Sequence, residues 1–108
     1  MTPAIRQIGA IELKAMMNTG TPFALIDVRT EDERTLACIP DSRLLDQACH
    51  DDLISGDRNA ALVFQCHHGI RSQSAAEYFL RKGFTNLYNL QGGIDAWSQL
   101  VDPSVPRY

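Results

Sequence analysis

Short apolar runs alternate with amphipathic segments along this 108-residue chain. Leu62–Phe64 is apolar throughout, which is typical of a central parallel strand covered on both faces. Five strands are predicted, over residues 5–8, 23–28, 43–45, 62–64 and 86–90, the first of them at an edge of the sheet. Five helices are predicted between and after them, over residues 11–17, 31–36, 47–54, 73–82 and 94–100. Regular alternation of strands and helices predicts an α/β fold with a mostly parallel sheet.

Capping residues and helix breakers set the expected boundaries of several of these helices. Thr30 is a good N-cap for the second helix, and acidic residues follow it in the first turn. Ser72 is predicted to cap the fourth helix and Gly83 to end it. Pro103 and Pro106 cannot continue the last helix, so residues 101–108 are predicted to form an extended tail. The whole chain, residues 1–108, is expected to be a single domain.

Composition and charge exclude several classes of protein. Hydrophobic residues make up 44% and charged residues 21%, as in ordinary globular proteins. A net charge of −3 predicts no binding to nucleic acid, and the charge and apolar runs far shorter than about 20 residues predict no membrane partner. The segment Met1–Arg6 lacks the basic and apolar regions of a signal peptide. Three cysteines are too few for a disulfide scaffold, so a cytoplasmic location is expected.

Parallel strands end at one edge of a sheet, where ligands of α/β proteins bind. Three segments, at residues 27–29, 66–71 and 91–93, follow predicted strands and should therefore meet there. Cys66 lies between a strand and a helix start, a position that favours the thiolate, so it is the candidate nucleophile. Arg71 offers a planar fork of donors for an oxyanion. Gly69 is expected to provide a positive φ or a close backbone approach.

Simpler interpretations remain for most of these residues. Cys66 could be a buried structural cysteine, and Arg71 a solvated surface charge. His67 and His68 could orient substrate, supply a proton or face solvent. A Cys-His-His metal site is disfavoured because consecutive residues lack the usual ligand spacing, so neither metal nor cofactor is expected.

The charged residues and cysteines around this edge are assigned supporting roles. Asp27 and Arg29, two residues apart, are expected to form an ion pair that braces the edge of the sheet. The acids of residues 31–33 are interpreted as helix N-terminal charges and nothing more. Cys38 and Cys49 are interpreted as core or surface thiols, with a part in resolving an oxidised Cys66 left open.

Three segments together resemble a single-domain rhodanese: Ala24–Arg29, Cys66–Ser72 and Asn89–Trp97. The resemblance implies five parallel strands flanked by helices, with the reactive cysteine after the fourth strand. Cys66 would carry a persulfide, and the backbone N–H groups of the following six residues would surround it: His67, His68, Gly69, Ile70, Arg71 and Ser72. Arg71 would bind an anionic donor such as thiosulfate, and the sulfur would pass to cyanide or a thiol. The main alternative is a persulfide carrier that acts on a protein partner.

Loop length separates this resemblance from related chemistry on the same fold. Four residues lie between Cys66 and Arg71, whereas cysteine phosphatases have five, so a phosphatase or arsenate reductase is disfavoured. The loop also differs from the type associated with mercaptopyruvate, which favours thiosulfate as the donor. One segment departs from the family: Ala37–Ser42 stands where many members have Gly-His-Ile-Pro-Gly-Ala, with Cys38 at the histidine position.

Overall fold

The computed structural model describes residues 4–108 and contains all five strands and all five helices that the pattern predicts. The expectation about a signal peptide rests partly on the first three residues, which lie outside the described part. The strands are β1 (Arg6–Ile8), β2 (Ala24–Asp27), β3 (Arg43–Leu44), β4 (Leu62–Gln65) and β5 (Leu87–Leu90). The helices are α1 (Ala10–Asn18), α2 (Glu31–Leu36), α3 (Gln47–Ile54), α4 (Ile70–Arg81) and α5 (Gly93–Leu100).

The sheet has the order β1-β5-β4-β2-β3, and every strand pair is parallel. β4 lies in the middle and is buried along its whole length, as its apolar run predicts. Because successive side chains of a strand point to opposite faces, Val63 packs with α1 and α5 while Phe64 packs with α3 and α4. The α/β fold with helices on both faces is therefore confirmed, and the sheet is wholly parallel.

The start of α4 differs from the prediction by three residues. The helix begins at Ile70, with Gly69 at the N-cap in the left-handed region at φ 109°. Ser72 is therefore the third residue of the helix, and its prediction as the N-cap is wrong. Glycine adopts this φ without steric strain, which lets the chain turn into the helix earlier than a serine cap would. The other predicted cap residues, Thr30 and Gly83, are confirmed by the Glu33 N–H bond to Thr30 and by φ 95° at Gly83.

Residues 101–108 pack back against the domain instead of running fully extended. A turn closes with a hydrogen bond of 3.1 Å from the Val105 N–H to the Asp102 carbonyl. Val105 is only 6% exposed and belongs to the core cluster on the α5 face. Arg107 then pairs with Asp95 at 2.9 Å, which leads Tyr108 to the carboxyl edge of the sheet.

Within residues 4–108, none of the helices has the length and apolar character that crossing a membrane requires.

Candidate active site

Cys66 follows directly after β4, and the residue is 1% exposed. Its Sγ accepts hydrogen bonds from the backbone N–H groups of Gly69, at 3.1 Å, and of Ser72, at 3.4 Å. The Ser72 hydroxyl lies 3.3 Å from the same sulfur. These donors point at the sulfur because the N–H groups at the start of α4 have no partners within the helix.

The surroundings of Cys66 favour its ionised form. Burial alone would raise the pKa of the thiol, because it penalises the charged form. The Ser72 hydroxyl and the N–H groups of Ser72, Gly69 and His68 outweigh that effect, so the pKa of Cys66 lies below its ordinary value. Of the six residues predicted to surround the sulfur with backbone N–H groups, Gly69 and Ser72 donate to it at 3.1 and 3.4 Å.

The turn between β5 and α5 is hydrogen-bonded to the loop that begins at Cys66. Ile94 donates its N–H to the Cys66 carbonyl at 2.8 Å, and Asp95 donates to the His67 carbonyl at 3.2 Å. Gly93 lies so close that a Cβ there would collide with both carbonyls. Gly69 has the expected positive φ and the expected close approach, since a Cβ there would lie 3.2 Å from the Leu90 carbonyl oxygen. The predicted meeting of the 66–71 and 91–93 segments is thus confirmed.

Asn89, at the end of β5, orients the Ser72 hydroxyl. Its amide nitrogen donates to the Gly69 carbonyl at 3.1 Å and to Gln7 Oε1 at 2.9 Å, so its oxygen faces Ser72. Ser72 donates to that oxygen at 2.5 Å. Sequence reasoning did not assign a role to Asn89, although a polar residue within an otherwise apolar strand was a usable signal.

Arg71 is engaged by a carboxylate in this structure. Its two terminal nitrogens donate to the two oxygens of Glu33 at 2.7 and 2.9 Å, and its side chain is 46% exposed. Tyr108 donates its hydroxyl to Glu33 Oε2 at 2.6 Å. The bonds from Arg71, with that from Tyr108, hold the pKa of Glu33 far below its usual range despite partial burial. The interpretation of Glu33 as a helix-terminal charge and nothing more is therefore wrong.

The two histidines of the loop form part of a stack. His67 lies between His68 and Tyr108, with ring centroids 4.0 Å from each. Donor atoms of His67, His68 and Asp95 all lie within 4.8 Å of one another. Imidazole lone pairs lie in the ring planes, and the two histidine planes are stacked at 27°, so these lone pairs do not converge on one point. The arrangement does not fit a metal ion.

Asp27 and Arg29 form the expected ion pair, at 2.7 Å with both side chains fully buried. Arg34 adds a second pair to the same carboxylate at 2.8 Å. Arg29 also donates to the Ala37 carbonyl at 2.8 Å and to the Tyr108 hydroxyl at 3.0 Å. The arginine of this buried pair is thus hydrogen-bonded both to the segment after α2 and to the end of the chain.

The other two cysteines have surroundings of their own. Cys49 is fully buried in the cluster between the sheet and α4, where burial raises the pKa of its thiol. Cys38 Sγ lies 3.4 Å from the Ser42 hydroxyl. Both are free thiols, as is Cys66. A role for either in resolving an oxidised Cys66 stays untested.

Comparisons with known proteins agree on one family. The model of the rhodanese-like domain matches residues 10–100. Thiosulfate sulfurtransferase GlpE from Pseudomonas paraeruginosa is 34% identical over 90% of this chain and 87% of its own length. Adenylyltransferase and sulfurtransferase MOCS3-2 from Zea mays is 33% identical over 98% of this chain but only 24% of its own length. A rhodanese-like domain protein from Staphylococcus aureus has a TM-score of 0.77 and 28% identity, over 96% of this chain and 99% of its own. The chain belongs to the rhodanese-like family.

Proposed function

We propose that this protein is a sulfurtransferase, with residues 1–108 acting as one domain. Cys66 takes a sulfane sulfur from thiosulfate or a similar anionic donor and passes it to cyanide or a thiol. The observation that carries the proposal is the pair of backbone N–H donors, from Gly69 and Ser72, aimed at the buried Cys66 Sγ. These donors stabilise a negative sulfur, which is both the attacking thiolate and the terminal atom of a persulfide.

The reaction has two steps at one sulfur atom. The Cys66 thiolate attacks the terminal sulfur of thiosulfate, the bond to the sulfonate sulfur breaks with its electron pair, and sulfite leaves. Backbone N–H groups of the loop then bind the persulfide, while Arg71 lies at the mouth, paired with Glu33. In the second step cyanide attacks the terminal sulfur, which leaves as thiocyanate and restores the thiolate. No side chain has to accept a proton in either step.

A protein is a second candidate for the sulfur acceptor. Ile70 lies at the start of α4 and is 80% exposed, so its apolar side chain is open to contact with a partner protein that approaches Cys66. Fast transfer to a partner protein together with slow turnover of cyanide would distinguish a sulfur carrier from an enzyme for small molecules. A reducing compartment such as the cytoplasm suits either reaction, since both need a free Cys66 thiolate.

Intact-protein mass spectrometry after incubation with thiosulfate tests the first step. We expect the wild-type protein to gain the mass of one sulfur atom and to lose it on addition of cyanide. Cys66→Ser should gain nothing, whereas Cys38→Ser and Cys49→Ser should react like the wild type. Sulfur uptake by Cys66→Ser, or none by the folded and reduced wild type, would overturn the proposal.

A further inference from the structure

The cation at the mouth of the site is neutralised by a residue from another helix. Arg71 is the basic residue of the loop, and both of its terminal nitrogens are bound to Glu33 of α2. A bidentate pair of this kind is the strongest geometry that an arginine forms with a carboxylate. An anionic donor that approaches Cys66 therefore meets an arginine whose donors are already in use.

Glu33 is held in this position from several sides. Tyr108 donates to one of its oxygens, and Arg29 in turn donates to the Tyr108 hydroxyl. The other oxygen accepts the backbone N–H of Thr30 at 3.2 Å, which closes the N-terminal cap of α2. The carboxylate stays ionised throughout the working pH range, because the bonds from Arg71 keep its pKa far below that range. Its charge is thus a permanent part of the mouth.

We propose that Glu33 sets the charge selectivity of the site. It weakens reaction with the doubly charged thiosulfate ion and favours sulfane-sulfur donors that carry a single negative charge. This inference rests on the sulfurtransferase function proposed above. Electrostatic repulsion grows in proportion to the charge of the donor, so the effect of Glu33 on a dianion is twice, in free energy, its effect on a monoanion.

Two donors with the same reacting sulfur and different charge make the inference testable. Thiosulfate carries two negative charges, and benzenethiosulfonate carries one. Attack of the Cys66 thiolate on the terminal sulfur releases sulfite from the first donor and benzenesulfinate from the second. The same Cys66 persulfide forms in both cases. For each donor, the change in kcat/KM between wild type and a Glu33 variant therefore reports the effect of Glu33 on the approaching donor.

The variant to compare is Glu33→Gln, which keeps an oxygen for the Thr30 cap and removes the charge. We expect kcat/KM to rise about three- to ten-fold for thiosulfate and by about the square root of that factor for benzenethiosulfonate. Glu31→Gln removes the same charge from an exposed position of α2, and should change both values less than two-fold. A thermal melt of each variant checks that the fold is retained.

The outcomes separate this inference from the function on which it rests. An unchanged or reduced kcat/KM for thiosulfate in folded Glu33→Gln overturns the inference, because Glu33 would then orient Arg71 productively. An equal rise for both donors also overturns it, since the effect would not depend on charge. Tyr108→Phe, which leaves the Glu33–Arg71 pair in place, should change the ratio of the two values less than two-fold, and a larger change counts against charge as the cause. Failure of the wild type to accept sulfur from either donor instead overturns the sulfurtransferase proposal.

Discussion

The ring of Tyr108 lies flat on the imidazole of His67, with centroids 4.0 Å and planes 8° apart. The contact joins the end of the chain to the loop that begins at Cys66. Stacked aromatic pairs contribute about 0.5–1.5 kcal/mol beyond the area that they bury. The hydroxyl of Tyr108 adds hydrogen bonds with Arg29 and Glu33.

We therefore expect Tyr108→Ala to lower the free energy of unfolding by about 1–2 kcal/mol, because both the stack and the hydroxyl are lost. Tyr108→Phe keeps the stack and should cost about half as much. Urea denaturation followed by circular dichroism measures both. If the two variants are equally unstable, the hydroxyl and not the stack holds the end of the chain in place.

The Ser72 hydroxyl is one of the groups that keep the pKa of Cys66 below its ordinary value. Once Cys66 is ionised, the single hydroxyl proton can turn from Asn89 Oδ1 to the sulfur, and Ser72→Ala removes it. The pKa should then rise and less thiolate should be present at neutral pH. The rate of alkylation by iodoacetamide, followed on the Cys66 peptide by mass spectrometry, should then reach half its maximum at a higher pH. Ser74→Ala, an exposed position on the same helix, is the matched control and should leave the curve unchanged. Superimposable curves for Ser72→Ala and wild type would remove Ser72 from the site.

Asp27 accepts hydrogen bonds from two arginines, and the side chain of Arg29 is fully buried beside it. Asp27→Asn leaves that buried guanidinium without a counter-charge, which costs about 3 kcal/mol or more of unfolding free energy. Asp52→Asn breaks an exposed pair with Arg43 and should cost less than about 1 kcal/mol. Chemical denaturation of the two variants compares the values. Similar losses would show that the burial of the Asp27 pair has no energetic consequence.

Gly93 and Gly20 both have positive φ, at 59° and 71°, but their surroundings differ. A Cβ at Gly20 meets no atom within 4 Å, whereas one at Gly93 collides with the carbonyls of Cys66 and His67. Gly20→Ala should thus cost about 1 kcal/mol, from backbone strain alone. Gly93→Ala should cost about 3 kcal/mol or more, because the loop has to move as well. Equal melting temperatures for the two variants would contradict the close contact between the turn and the loop.

Local sequence patterns were sufficient to predict most of the fold. The alternation of apolar runs and amphipathic segments placed the five strands and five helices, and the end-of-strand rule placed Cys66 at the carboxyl edge of the sheet. The start of α4 was missed because serine is a common N-cap, while the structure uses Gly69 in a conformation that residue type alone does not indicate. Because Ser72 does not cap the helix, its side chain faces Cys66 instead.

The rest of the candidate site is formed by contacts between residues far apart in the sequence. No local pattern predicts such contacts. Glu33 and Arg71 are 38 positions apart, and Tyr108 reaches Glu33 across 75 positions. An acid in the first turn of a helix is ordinary by itself, which is why Glu33 was assigned no further role. The packing of Val105 into the core and the Arg107–Asp95 pair bring the end of the chain to the loop that follows Cys66.

The hydrogen bonds from Ile94 and Asp95 to the carbonyls of Cys66 and His67 fix the peptide planes of the loop. Main-chain N–H groups therefore donate to the sulfur, and the side chains of His68 and Ile70 are exposed beside it. If the proposed function holds, the choice of sulfur acceptor and the chemistry at Cys66 are therefore separable properties. Under that proposal, exchanging those two side chains would redirect the sulfur to a different acceptor and leave the reaction at Cys66 the same.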